Sequence, residues 1–471
     1  MRQEYTAIAT LTVDTFMAKG IKCKIQLPGR MGNVKIHLYP MNDIWNNIQP
    51  YFKFKFDAYI GDSKFHSDEA YVIKSECKYY SKEVNECYVE LQANDFFIAD
   101  TVSWEIESCS SIIFWISPND KIQVPQIINQ MNDGTVEVNH CNKENFKFKL
   151  HDDIFVQFDK MYDYEKKGKG YAASPYLIAI VTGNIAITNL SDVLLKIKPM
   201  LDEFLLLISF AFRTCIVWTG FELTLGNHQH CTYYRGNCLF PDGKGRPSIR
   251  DGVVEFREFK NFMDHIYPIF KKSTYKESLK HAIYVLCPWN SQNIILEENY
   301  LILFAALEAI VLTYRRTVNR EFILSKDECK SLNKAVKNTI HHEVKDKIKR
   351  GELYSKLPEL NRVALRTVFD DFCKDNSIDL SSLWPVFEKS DHKPGLSDIR
   401  NKLVHGDTQE MLGFLSYAHE HLQYVLERIV CSLLNWPLER TEINSGILGR
   451  EIVSVNKFLL IKEDAEKQFK T

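Results

Sequence analysis

The sequence predicts an α+β chain of several domains: a β-rich N-terminal region forming a sheet or sandwich, a mixed middle region, and an all-α helical bundle at the C-terminal end. Three observations predict this. Short β-branched or alternating segments fill the first part of the chain. From about residue 290 apolar residues recur at three- and four-residue spacing instead. And 471 residues suffice for two or three separate cores.

Taken in order, AIATLTV, IKCKIQL and VKIHLY read as strands. In YFKFKFDAYI, Phe52, Phe54 and Phe56 alternate with lysines, which describes a strand with one wet face. CYVELQA, VSWEIE and SIIFWIS continue the pattern to about residue 117, and TVEVNH and KFKL add strands after it. The polar stretch YEKKGKGYAASP (164–175) predicts a boundary loop. The run VLLKIKPMLDEFLLLISFAFRTC then predicts a buried helix, WTGFELTLG and QHCTYYRG strands, and PDGKGRPS a loop. These signals divide the chain into 1–160, 161–287 and 288–471, with the middle region either separate or continuous with the first.

The last region reads as about five helices. LEENYLILFAALEAIVLTYRR carries Leu296, Tyr300, Leu303, Leu307, Ile310 and Tyr314 on one stripe. Ser325 and Glu328 have capping-box spacing ahead of a second helix, which runs through KAVKNTIHHEV. The stretch around 359–373 supplies a third and SDIRNKLVH a short fourth. Asp407 and Glu410 open a last one, MLGFLSYAHEHLQYVLERIVCSLLNW.

Composition narrows the function classes. A formal net charge of −2 argues against a chain that coats nucleic acid nonspecifically, so any such contact is a local patch. Twelve cysteines without a CxxC pair read as reduced thiols in a cytoplasmic protein. The opening MRQEYTAIATLTV lacks the basic head and apolar core of a signal peptide. The longest apolar run, FLLLISFAF, is closed by Arg213 and is too short to span a bilayer, so no membrane partner is expected. No GxxxxGK[ST] loop is present, which weighs against an NTPase.

The chemistry concentrates in SDIRNKLVHGD (397–407). On a helical wheel Leu396, Ile399 and Leu403 form the core stripe. Asn401 and His405, four apart, lie together on roughly the opposite face, and Arg400 lies beside Asn401. Gly406 suits the left-handed position that ends a helix. The plain reading of such residues is a solvated helix face. Here the helix is short, boxed between a Pro-Gly turn and a Gly stop, and followed by a long apolar helix.

Arg400, Asn401 and His405, with the helical context and the helix LFAALEAIV, resemble the HEPN superfamily of nucleotide- and RNA-acting domains. Its pattern is Arg, four to six residues, then His, often with a polar residue after the Arg. The β-containing region ahead of the bundle is similar to the architecture of the Apea-like HEPN group, whose members act in bacterial anti-phage defence. The resemblance implies a metal-independent endoribonuclease needing no cofactor, an abortive-infection toxin acting on RNA such as tRNA or another translation-related RNA. It further implies a phage-derived trigger and an N-terminal region serving as sensor or regulator. The alternative is a noncatalytic HEPN module that binds RNA, nucleotide or a protein partner.

The residue types fit that chemistry. Cleaving RNA through its own 2′-OH needs one proton removed, one delivered, and positive charge at the phosphate. Histidine suits either proton role near neutrality, and arginine grips phosphate oxygens with a rigid fork. Which proton role His405 takes stays open. Arg400 and His405 stand about 140° apart on one helix, so a single helix does not easily aim both at one phosphate. Two copies about a two-fold axis would, which predicts a homodimer or higher oligomer through the C-terminal domain.

Other candidates are secondary. Glu308, alone in LILFAALEAIVL, is either a carboxylate at the core rim or an acid that orients Arg400 or His405; Glu297 is a lesser partner. Lys334, Lys337 and Lys345 belong to a charge run that is either a wet face or an RNA-backbone track. His228, His230, Cys231 and Cys238 are weak metal candidates whose spacing fits no strong zinc pattern, so no metal is assigned.

Overall fold

The computed structural model describes residues 3–13, 16–28, 33–39, 53–79, 85–100, 111–117, 121–124, 126–130, 136–140, 143–167, 170–183, 187, 190–225, 229–235, 252–287, 295–387, 394–406, 412–444, 461, 463 and 467. The chain is α+β, with a β-rich N-terminal part and a helical C-terminal part. It divides into two compact units, one of Met1–Arg250 with Phe259–Asp264, the other of Asp251–Glu258 with His265–Thr471.

The first unit contains β1 (Gln3–Val13), β2 (Phe16–Leu27), β3 (Val34–Tyr39), β4 (Lys53–Ile60), β5 (Ser63–Tyr79), β6 (Asn85–Asp100) and β7 (Ser111–Ile116). It continues with β8 (Gln126–Gln130), β9 (Val136–His140), β10 (Lys147–His151), β11 (Ile154–Lys167), β12 (Gly170–Gly183), β13 (Trp218–Leu225) and β14 (Gln229–Tyr234). All but β8 and β9, which pair with each other, share one sheet in the order β10-β11-β12-β7-β13-β14-β6-β3-β2-β1-β4-β5. Because β5 also pairs with β6, six of these strands close into a barrel. Register shifts at Ala9/Leu11, Phe54/Phe56 and Val72/Lys74 sharpen the twist such closure needs. The period-two signal holds in detail: Phe54 and Phe56 are fully buried while Lys53 and Lys55 are exposed.

One expectation is corrected here, and one left open is decided. The stretch 164–175 is no boundary loop in its described residues: 164–167 and 170–175 lie in the two arms of the β11/β12 pair, where Glu165 pairs with Ala172 and Tyr164 with Ala173. Strands on both sides of residue 160 belong to one sheet, so the middle region's strands complete the first sheet. The VSWEIE strand, the PDGKGRPS loop, Phe52 and the Asp407/Glu410 helix start lie outside the described residues. The apolar run after residue 190 is a helical turn α1 (Leu190–Asp192), a π turn (Val193–Ile197) and α2 (Lys198–Phe212), which stops at Arg213 in the left-handed conformation. Phe204 of α2 packs on Phe148 and Phe158 of the sheet.

Helix α3 (Phe259–Lys272) is divided between the units at Asp264, and α4 (Lys276–Leu286) follows. Neither was read from the sequence. Then come α5 (Leu296–Thr317), α6 (Lys326–Glu343), α7 (Lys347–Lys356), α8 (Leu365–Asp375), α9 (Leu396–His405) and α10 (Leu412–Leu433). The expected stripe of α5 is buried at Tyr300, Leu303, Leu307, Ile310 and Tyr314, and α5 packs on α4, α8, α9 and α10. The Ser325/Glu328 capping box forms as expected. The single helix expected through the charge run is in fact two: α6 ends at Glu343, and Asp346 caps α7 by accepting the N–H groups of Ile348 and Lys349. The helix expected around 359–373 runs over 365–375, preceded by a 3₁₀ turn, Leu357–Asn361.

Gly220 of β13 marks a tight spot. A Cβ there would stand 2.5 Å from both the Trp115 ring and the Tyr233 carbonyl oxygen. Backbone on one side leaves no room to yield. Gly220→Ala is therefore expected to destabilise the sheet unit by about 1–3 kcal/mol, seen as a lower unfolding midpoint followed through tryptophan fluorescence. An unchanged midpoint would show that this packing is slack.

Candidate active site

The site is built on α9, and the local sequence explains why so short a helix holds. Asp398 reaches back and accepts the Gly395 N–H at 2.7 Å. The N–H groups of Leu396 and Ser397 donate to the carbonyls of Pro385 and Val386, and Trp384 Nε1 donates to the Pro394 carbonyl. The first three bonds satisfy N–H donors at the helix start, and the Trp384 bond anchors the turn that leads into it. The far end stops at Gly406, whose φ of 86° lets its N–H cap the Leu403 and Lys402 carbonyls. The stripe of Leu396, Ile399 and Leu403 is buried as expected, and burial of each such side chain contributes about 1.5–3 kcal/mol.

Helix α5 is the partner that sets the rotation of α9. The Tyr300 hydroxyl donates to the Leu396 carbonyl at 2.8 Å. Burial, with the nearby Asp398 charge, pushes this phenol well above its ordinary pKa, so it remains a donor. Two turns further on, Arg400 Nη2 donates to Glu308 Oε1 at 2.9 Å. The guanidinium also lies 5.6 Å from the Phe304 ring centroid, and Nη1 donates to Asn401 Oδ1 at 3.0 Å. Phe304 and Glu308 are four apart, so one face of α5 presents a ring and a carboxylate together. Arg400 is thereby fixed in direction by three different groups.

His405 and Asn401 are both exposed, with His405 at the last position of α9. The structure thus unites Arg400, Asn401 and Glu308; His405 lies one turn beyond Asn401 on the same face of α9, with no described hydrogen bond to any of the three. Glu297 sits eleven residues before Glu308, about 16 Å along the same helix; α5 does not bring it to Arg400. Phe304 was not anticipated, although its spacing to Glu308 carried the signal.

The remaining candidates separate from this site. Lys334 and Lys337 are exposed on α6, and Lys345 lies between α6 and α7. His228 and Cys238 lie outside the described residues. His230 is exposed while its neighbour Cys231 is buried, on opposite faces of β14, so the two cannot share a metal ion. Among the described residues no cluster has metal-ligand character. A cavity of about 1130 Å³ opens between the ends of α3, α8 and α10, and Arg400, Asn401, His405 and Glu308 do not line it. Among the described residues no helix is long and apolar enough to cross a membrane.

Compared with models of known protein families, with curated proteins and with solved structures, the chain matches none of them.

The geometry separates the two key residues energetically. His405→Ala removes an exposed side chain and should shift stability by less than about 0.5 kcal/mol. Arg400→Ala removes a part-buried group and leaves Glu308 without its cation, a loss of about 1 kcal/mol. Chemical denaturation of both variants checks the order; equal losses would mean that Arg400 is not anchored as described.

Proposed function

We propose that this protein is a metal-independent endoribonuclease whose active site is formed by Arg400, Asn401 and His405. The observation that carries the reading is the placement of Arg400. A residue pattern that resembles HEPN ribonucleases stands at a helix end, and its arginine is held by Glu308, Phe304 and Asn401 while the histidine beside it stays exposed. A merely solvated arginine needs no such fixing.

The residues have distinct tasks. The guanidinium has five N–H donors, and two are engaged by Glu308 and Asn401. The others are available to a phosphate, whose charge grows as a fifth oxygen approaches phosphorus. Attack by the 2′ oxygen forms a new P–O bond and breaks the bond to the 5′ oxygen. The products are a 2′,3′-cyclic phosphate and a free 5′-OH. One proton leaves the 2′-OH and one reaches the departing 5′ oxygen, and His405 serves one of these transfers. Asn401 braces the guanidinium.

Arg400 is held against α5, and His405 stands about 140° away round the same helix, so one chain does not easily aim both at one phosphate. The site is therefore taken to be shared by two copies of the chain about a two-fold axis, each phosphate meeting Arg400 of one and His405 of the other. In this reading the N-terminal sheet unit serves as sensor or regulator of a cytoplasmic defence toxin, released by a phage-derived trigger, with a translation-related RNA as substrate.

Purified protein incubated with total RNA in EDTA should cleave it, leaving 2′,3′-cyclic phosphate ends. His405→Ala and Arg400→Ala should each abolish cleavage while keeping the wild-type circular dichroism. RNA bound but left intact, with and without added divalent metal, would favour the noncatalytic binding module instead.

A further inference from the structure

Between α5 and α8 the chain leaves the bundle as an arm. Its base is a clasp: Ile323 N–H donates to the Asn361 carbonyl at 2.8 Å and Val363 N–H to the Glu321 carbonyl at 3.3 Å. The Asn361 side chain bonds both backbone groups of Leu324. Beyond this clasp α6 and α7 bury no residue at all. They pack chiefly on each other, where the Tyr354 hydroxyl donates to the Lys337 carbonyl, the Lys337 ammonium lies over the Tyr354 ring, and Arg350 donates to the His341 ring.

Across α6 and α7 nine basic residues outnumber five acids, and the excess lies in the middle of the arm. From Lys330 to Arg350 there are seven basic residues and two acids, Glu343 and Asp346. Both acids are already engaged: Glu343 with His342, and Asp346 with the backbone N–H groups that it caps. Among the described residues Lys330, Lys334, Lys345, Lys347 and Lys349 have no acidic partner. Lys330, Lys334, Lys337 and His341 follow one another at helical spacing and form a continuous stripe. A chain of net charge −2 that concentrates unneutralised lysines on a projecting helical pair has built a local polyanion surface.

The arm is also placed to serve the candidate site. Contacts between α9 and α5 advance in the same sense, from Leu396–Tyr300 to Arg400–Glu308. The His405 end of α9 therefore points toward the end of α5 from which the arm departs.

We propose that the α6–α7 arm is an RNA-backbone clamp that holds a single strand leading into the Arg400/His405 site; its link to cleavage rests on the nuclease reading above. Lys334, Lys345 and Lys349 pair with successive phosphates, while Tyr354 and Asp346 keep the two helices in register.

The test is RNA binding in EDTA, measured by anisotropy of a labelled single-stranded oligonucleotide. It compares the His405→Ala chain with the same chain carrying Lys334→Gln, Lys345→Gln and Lys349→Gln. Glutamine has nearly the helix propensity of lysine, and circular dichroism confirms that the arm is intact. Affinity should fall about tenfold at ~100 mM salt, and the slope of log affinity against log salt should fall by about 2, three lost phosphate contacts at ~0.7 each. Unchanged affinity and slope would overturn the clamp. So would an arm that holds a second copy of the chain, seen if Leu332→Ser, Ile348→Ser and Leu353→Ser lower the sedimentation coefficient while the lysine changes leave RNA binding alone. If wild-type protein binds RNA through the arm but never cuts it, the clamp stands and the nuclease reading falls. If wild-type and lysine-variant proteins cut and bind alike, the reverse holds.

Discussion

The ion pair between Glu308 and Arg400 is the constraint on which the rest of the candidate site depends. Helix α9 has ten residues, and without support a helix of that length is marginal in water. Its buried stripe fixes which side faces the bundle, and the Tyr300–Leu396 bond fixes where along α5 it sits. Neither tells a long, flexible arginine where to point. Glu308 does, with Phe304 as the floor and Asn401 as the brace. The side chains of Arg400 and Glu308 are 34% and 26% exposed. At that depth the attraction is stronger than on open surface, yet water and a phosphate can still reach the remaining N–H groups.

This arrangement has a cost that suits a regulated site. A carboxylate beside the guanidinium lowers its pull on a second anion, so Arg400 alone would be a poor phosphate trap. A site of this kind gains strength when other cations approach, from another copy of the chain or from the lysines of the arm. That would keep an isolated chain quiet and make activity depend on assembly. On the proposed nuclease reading, the half-shielded arginine and the exposed histidine would be the two parts of a site that each chain supplies in half.

Much of the local structure was legible in the sequence. Period two in KFKFDAYI, the Ser325/Glu328 box, the stripe of Leu396, Ile399 and Leu403, and the Gly406 stop each follow from short-range rules, and each stands in the structure. What escaped was long-range or masked by a competing signal. Alternation marks β7 as a strand but cannot say that its partners are β12 and β13, far along the chain. Helix α3 has buried residues at Phe259, Phe262, Met263, Ile266, Tyr267 and Phe270, yet Pro268 within it hid the pattern, because a proline costs a helix interior a hydrogen bond. The Lys-Asp-Lys break before α7 was submerged in a charge run, though Asp346 is an ordinary cap. At the site, an acid inside an apolar run flagged Glu308, but its meeting with Arg400 spans 92 residues of chain and no local rule supplies it.

The central claim is that Arg400 and His405 act together from different copies of the chain, and complementation tests it most directly. Arg400→Ala and His405→Ala proteins, each inactive, are mixed in equal amounts, allowed to exchange, and assayed on RNA in EDTA. Half of randomly paired dimers are mixed, and each of those holds one intact site. The account therefore predicts about a quarter of the wild-type rate. A mixture no more active than its two parents, alongside a wild-type chain that cleaves at full rate while sedimenting as a monomer, would contradict it.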